Sequence, residues 1–371
     1  MNTKNILIVS TRESDVGYAW RMIEELWIAI ANRFTDRQVI LCFPKVTKTN
    51  PALSAAGIRI FEYTFDYSRP LKLANFCIAH NIGVIYLSDN CHMHPLYWLL
   101  RRAGVRRIVI HDHAPGSRTA PSFIKRFLKT LAIRAIGADA YIACSDAVLV
   151  RLQKVVCAPA SRCYLATNGV RHNPFSRRDS TIRSELNLSP TTTIVVSVSR
   201  LSKYKRVHDI IEAARFIFCS RPNADLHFVH CGDGPDRNEF HSLISTHGLQ
   251  DRFTLLGAIP DVYRVLAGCD IAVHASDGEG LCLAVLEFMA SGLPIVITNE
   301  PTTSACISDG ETGLFYRHRE CVDLAEKLLS LVDDAERCQT LGVAARLQFE
   351  REYSFEQTAR ATVRVFEALD E

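Results

Sequence analysis

Short β-branched runs alternate with helix-spaced stretches along this chain, and they do so in two separate series. The first contains "NILIVS" (5–10), "QVILCF" (38–43), "GVIYLS" (83–88), "RIVIHD" (107–112), "AYIACS" (140–145) and "CYLATNGV" (163–170). Residues 18–34 and 121–136 carry apolar groups at helical spacing between them. The second series runs through "TTIVVSVS" (192–199), "LHFVHCG" (226–232), "FTLLGAI" (253–259), "DIAVHAS" (270–276) and "PIVITNE" (294–300). Strands that are apolar on both faces and alternate with helices predict a parallel sheet covered on each side. Between the series, "RHNPFSRRDSTIRSELNLSP" (171–190) is polar, charged and bracketed by prolines, as a linker would be. The expectation is an α/β chain of two doubly wound, Rossmann-like domains facing across a cleft. The first spans 1–172, a linker 173–190, and the second 191–352. The helical tail 353–371 would pack back on one domain, the first by our reading.

At 371 residues the chain is too long for one comfortable core and long enough for two. A formal charge of +3 gives no general reason to expect nucleic acid as a partner. The thirteen cysteines are scattered singly, without a CxxC pair, and many sit inside apolar runs. This suits buried, reduced thiols better than a disulfide framework or a zinc cluster. No stretch reaches the roughly 20 apolar residues of a membrane-spanning helix, and the first residues lack the pattern of a signal peptide. A cytoplasmic location is expected.

Chemistry-bearing residues concentrate where strands of the second series end. "VSVSRLSKYKRVHDIIEA" places Arg200 and Lys205 in a turn before a helix, where two cations could meet a diphosphate or simply face solvent. "HCGDGPD" offers a tight Gly-Asp-Gly-Pro turn. "DGEGLCLAVLEFMASGLPIV" sets Glu279 in a loop and Glu287 eight positions on, in an apolar helix. A carboxylate in such a helix needs a partner: a salt bridge, or the two hydroxyls of a vicinal diol.

Taken in order, Arg200-Leu-x-x-x-Lys205, Gly232-x-Gly234-Pro235, Glu279-x7-Glu287, Ala290-x-Gly292-x-Pro294 and "DGETGLF" (309–315) resemble the family-four retaining glycosyltransferases of the GT-B fold. The resemblance covers nearly all of residues 165–365 and is looser before them. It implies that Arg200 and Lys205 bind the donor diphosphate, Glu279 approaches the donor sugar, and Glu287 holds the nucleotide ribose. Gly234 and the loop residues Gly280, Leu281 and Cys282 would line the same nucleotide sugar. Gly17, the one glycine left in the first loop, "STRESDVGYAW", would approach its phosphate. The sequence departs from the family at Leu281, where an aromatic is usual, at Cys282, and at "NEPTTSACISDG", which lacks the usual Pro-Glu pair.

In the first half, "RIVIHDHAPGSR" ends a strand with His111, Asp112 and His113. The resemblance assigns a donor-sugar contact here to His111, with His113 in reserve; a partner-satisfied histidine at a sheet edge is the competing reading. No Asp-x-Asp is present, no further metal ligand is evident, and neither a metal nor another cofactor is expected. "SFIKRFLKTLAIRAIGADA" carries Phe123, Ile124, Phe127, Leu128 and Leu131 on one helical stripe, with Lys125, Arg126 and Lys129 off it and "RRAGVRR" (101–107) nearby. Either the stripe is half-buried beneath a solvated basic face, or the helix lies on an anionic membrane surface.

The resulting expectation is a retaining, metal-independent hexosyltransferase of polysaccharide biosynthesis. It would move a sugar from a nucleoside diphosphate sugar to a glycan or lipid-linked acceptor, peripherally on the inner face of the membrane. The alternatives are a nucleotide-sugar epimerase on the same scaffold and a non-catalytic glycosyltransferase-like partner subunit.

Overall fold

The computed structural model describes residues 4–14, 21–114, 121–175 and 181–370. The chain divides into two compact units: Met1–Asn168 with Phe355–Glu371, and Gly169–Ser354. The stretch expected as a linker, where described, therefore lies inside the second unit. Its helix Ile182–Glu185 is tied down by Arg183, which reaches Asp270 at 2.6 Å. Prolines and charges marked the surface here, but an ion pair makes it part of the fold.

In the first unit, strands β1 (Asn5–Val9), β2 (Val39–Phe43), β3 (Arg59–Glu62), β4 (Ile82–Ser88), β5 (Arg107–Asp112), β6 (Ala140–Ala143) and β7 (Cys163–Leu165) form one parallel sheet. Its order is β3-β2-β1-β4-β5-β6-β7. β4 is buried along its whole length, as expected for a strand covered on both faces. The order reverses between β1 and β4, and ligands of such sheets bind beyond the carboxyl ends near that reversal. Gly17, which follows β1 in sequence, lies outside the described residues.

The final helix, Phe355–Asp370, belongs to this first unit. Phe366 packs against Phe34 with ring centroids 6.1 Å apart, Glu367 pairs with Arg33 at 2.6 Å, and Asp370 pairs with Arg37 at 2.9 Å. Thr358 donates to the Thr167 carbonyl at 2.7 Å near its start.

The helix Phe123–Ile136 shows its apolar stripe to solvent. Phe123 is 86% exposed and Ile124 72%, and Phe127, Leu128 and Leu131 are also exposed. Ile133, near its end, is the residue that enters the core. The half-buried reading of this stripe is thus not what the fold displays. Among the described residues no helix is long and apolar enough to cross a membrane.

In the second unit, β8 (Thr193–Val198), β9 (Leu226–Cys231), β10 (Phe253–Gly257), β11 (Ile271–His274), β12 (Ile295–Thr298) and β13 (Leu314–Tyr316) form a second parallel sheet. Its order is β10-β9-β8-β11-β12-β13, with the reversal between β8 and β11. The helices Val207–Ser220 and Cys321–Val332 bury Ile210, Ile211, Ala214, Leu324 and Leu328 in its core. The segments leaving β8 and β11 carry Arg200, Lys205 and Glu279, so the fold sets the motif residues at its reversal point.

Candidate active site

Two glycines bring the first loops together. A Cβ on Gly232, whose φ is +140°, would lie 1.8 Å from the Ser199 carbonyl oxygen, and one on Gly234 would lie 2.2 Å from that of Leu201. Only glycine permits this approach. Leu201 N–H donates to the Asp233 carbonyl at 3.0 Å, and Asp236 accepts from Lys203 N–H at 2.7 Å. Gly234 therefore shapes the loop that presents Arg200 and Lys205. Arg200 is exposed.

Lys205 ends a short 3-10 turn, Lys203–Lys205, and its ammonium is hydrogen-bonded to Glu279 Oε1. Burial acts to lower its pKa, but the Glu279 carboxylate outweighs burial and the net direction is upward. Glu279 also faces the buried His274, whose Nε2 is 3.4 Å from Oε1. Burial would raise the Glu279 carboxyl, yet His274 and Lys205 hold it down at about 2. His274 in turn is raised to about 9: burial disfavours its charge, but Cys282, at 3.2 Å from Nε2, and Glu279 favour it more. The loop between is fixed from both sides. Asp277 N–H donates to the Tyr204 carbonyl at 3.0 Å, and Glu279 N–H donates to Thr302 Oγ1 at 3.1 Å. Glu300 Oε2 accepts from the backbone and hydroxyls of both Thr302 and Thr303. Asp277 is paired with Arg319 at 2.9 Å and His318 at 3.3 Å.

Leu281 and Cys282 are buried, and Cys282 stands at the start of the helix Leu283–Ala290, with Gly280 buried just before them. Glu287 lies on that helix, 7% exposed. Among the described residues its carboxyl has neither an ion pair nor a hydrogen bond, so the salt-bridged reading of Glu287 does not hold. Burial, with a smaller contribution from Asp261, pushes its pKa up to about 8. A buried acid in this state is a group whose partner is still to arrive.

The first unit's strand end differs. His111 is fully buried, with Nδ1 2.6 Å from the Tyr86 hydroxyl and its ring centroid 4.1 Å from that of His113, the rings tilted by 31°. Burial, then His113, drives its pKa well below the ordinary value, so it is neutral. Alternation along β5 puts both histidines on one face; His111 is covered, its Nε2 without a hydrogen-bond partner among the described residues, and His113 is the one partly open to solvent. Asp112 is held by Arg151 at 2.7 Å and by His92 at 2.8 Å. Burial works against its ionisation, but His92 and Arg151 keep its carboxyl at about 2. His92, in "CHMH", is thus a hydrogen-bond partner of Asp112 that sequence spacing alone left isolated. Next to it Cys91, His92, Met93, Lys129 and Arg151 line a cavity of about 200 Å³.

Sequence reading missed His274, Glu300 and Thr302. His274 had a signal, as the one ionisable side chain in the apolar strand "IAVH"; the threonines had none. His274, Glu279 and Cys282 are also the group that could hold a metal ion among the described residues.

Residues 179–348 match the family model described as glycosyl transferases group 1. N-acetyl-alpha-D-glucosaminyl L-malate synthase of Bacillus anthracis is 28% identical over 48% of this chain and 46% of its own. Alpha-monoglucosyldiacylglycerol synthase of Acholeplasma laidlawii is 26% identical over 48% of this chain and 46% of its own. The chain thus matches just under half the length of these curated relatives. The crystal structure of Anabaena Alr3699/HepE in complex with UDP and glucose superimposes with a TM-score of 0.75 at 20% identity, covering 99% of this chain and 100% of that one. Residues 179–348 are thus similar to the group 1 glycosyltransferases, and the two Rossmann-like units give the chain the GT-B fold.

Proposed function

We propose that the protein transfers a sugar from a nucleoside diphosphate sugar to an acceptor hydroxyl with retention of anomeric configuration and without a metal. The observation that carries this reading is Glu287: a buried, unpartnered carboxyl on the helix that follows the Lys205–Glu279 pair. A vicinal diol supplies the two hydroxyl donors such a group requires, so Glu287 grips the nucleotide ribose. Arg200, exposed and beside the same turn, and Lys205 take the diphosphate.

As the anomeric C–O bond breaks, negative charge grows on the leaving diphosphate, and these two cations stabilise it where it develops. Glu279, ionised and fixed by His274 and Thr302, orients the donor ring. The acceptor oxygen attacks from the face the diphosphate leaves, forming the new glycosidic bond, and its proton passes to the departing phosphate. No protein nucleophile enters this scheme. Retention is read from the anomeric proton couplings of the product, and an inverted product would refute it. Full activity after exhaustive chelation is expected; activity lost to chelator and restored by manganese would refute metal independence.

The HepE complex with UDP and glucose makes UDP-hexoses the first donors to screen by thermal shift, since a ligand of the folded state raises its melting point. On the acceptor side, the exposed stripe of Phe123, Ile124, Phe127 and Leu128 with its flanking Lys125, Arg126 and Lys129 fits an anionic membrane surface. A lipid-linked or amphiphilic acceptor follows, in keeping with a relative named for a glucosyldiacylglycerol product. Sedimentation with anionic liposomes at low salt tests this, and a protein left in the supernatant would end it.

A further inference from the structure

The end of β11 and the loop after it gather an imidazole, a carboxylate and a thiol around one point. His274 Nε2 is 3.2 Å from Cys282 Sγ and 3.4 Å from Glu279 Oε1, and the ligand atoms of the three residues all lie within 4.8 Å of one another. Zinc bonds of ~2.0–2.1 Å to nitrogen, ~2.0–2.2 Å to oxygen and ~2.3 Å to sulfur give tetrahedral edges of about 3.3–3.6 Å. The two measured edges lie within or close to that range, so an ion can sit between these atoms with little rearrangement.

We propose that His274, Glu279 and Cys282 form a three-ligand site for zinc or a similarly thiophilic divalent cation, and that its occupation draws Glu279 away from Lys205. The donor set is mixed nitrogen, oxygen and sulfur, the combination that selects such metals over magnesium or calcium. The protein has prepared the geometry. His274 and Cys282 are buried, and the backbone of Glu279 is anchored by Thr302, so three side chains arrive already ordered. Three protein ligands leave a fourth position for water or an oxygen of a bound anion.

The consequence for activity rests on the transferase reading above; the site itself does not. Glu279 Oε1 is the atom that Lys205 now holds. A metal on that oxygen competes with the ammonium and adds a second cation beside it, which disorders the diphosphate-binding pair. The metal acts as an inhibitor, distinct from any role in the chemistry.

The test uses full-length, reduced, chelator-treated protein titrated with Zn²⁺ against a chromophoric chelator. The wild type is expected to hold one equivalent at least tenfold more tightly than Cys282→Ala or His274→Gln, both checked for folding by circular dichroism. Cobalt loading is expected to give a thiolate-to-metal charge-transfer band that Cys282→Ala lacks. Should Cys282→Ala fail to fold, Cys282→Ser carries the same comparison. Equal zinc affinity in wild type and variants, or a cobalt spectrum indifferent to Cys282, overturns the proposal. Donor turnover is expected to fall at least tenfold as the site fills and to recover on chelation. A protein that binds the metal this way yet transfers no sugar supports the site and refutes the transferase reading instead.

Discussion

Two buried carboxyls, Asp112 at the end of the first unit's β5 and Glu287 on the helix Leu283–Ala290 of the second, are in opposite states. Asp112 is ionised, held at about 2 against burial by His92 and Arg151. Glu287 has no such partner, and burial lifts it to about 8. The first is occupied by its own protein; the second is unoccupied until something binds. A strand-end polar residue is therefore not in itself a ligand contact: what distinguishes the two is whether the chain has already supplied the counter-charge.

The widest break in this comparison comes from Asp112→Asn. It strands Arg151 as a buried charge without its carboxylate, and a loss of about 3–5 kcal/mol is expected in chemical denaturation. An unchanged midpoint would show that the pair is not holding the first unit together. Next comes Lys205→Ala. Removing one group that stabilises developing charge costs about 10²–10³ in turnover, measured as release of nucleoside diphosphate; undiminished turnover would remove Lys205 from the mechanism.

Glu287→Gln sharpens the contrast, since it should weaken binding while strengthening the fold. Nucleotide affinity is expected to drop by roughly tenfold to a hundredfold, the worth of hydrogen bonds to a charged group. For stability the sign is set by a folded pKa of about 8 above an unfolded value near 4.5. The folded state binds this proton more tightly, so wild-type stability is fullest below the unfolded value and declines as pH rises through about 8. Glutamine lacks that decline. The melting point of Glu287→Gln should therefore gain on the wild type across this window, and parallel melting curves from pH 5 to 9 would contradict the assignment. The smallest effect is on the exposed helix. Phe123→Ser with Phe127→Ser should cut liposome binding by about tenfold and leave the unfolding midpoint in place, because both rings already face water.

The sheets were legible because their strands are apolar runs of one kind. β4, β8 and β9 stand within a residue or two of where periodicity put them. β3 and β13 were not read. "RIFE" is an edge strand with both ends exposed, so it lacks the apolar signature of the buried ones. "LFY" is only three residues long, and its first two close the motif "DGETGLF". The cluster at Lys205, Glu279 and Glu287 could be named from order and spacing, but its electrostatics could not. Whether Glu287 was paired depended on residues distant in sequence, as did the meeting of His92 with Asp112, twenty positions apart. The burial of His111 was equally hidden, since alternation gives the face a side chain shares and not what covers it. The stripe on Phe123–Ile136 was visible as a pattern, and only the fold told which way it points.

The placement of Phe355–Asp370 has a bearing on how the polypeptide matures. This helix completes the first unit, yet it leaves the ribosome only after the whole of Gly169–Ser354. The second unit can finish folding during synthesis, whereas the first must wait with Phe34 uncovered. The chain also enters and leaves the later unit side by side, at the bridge between Val170 and Ser354. That makes residues 169–354 an insertion whose two ends lie together, a segment that recombination could exchange whole while the host sequence stayed the same.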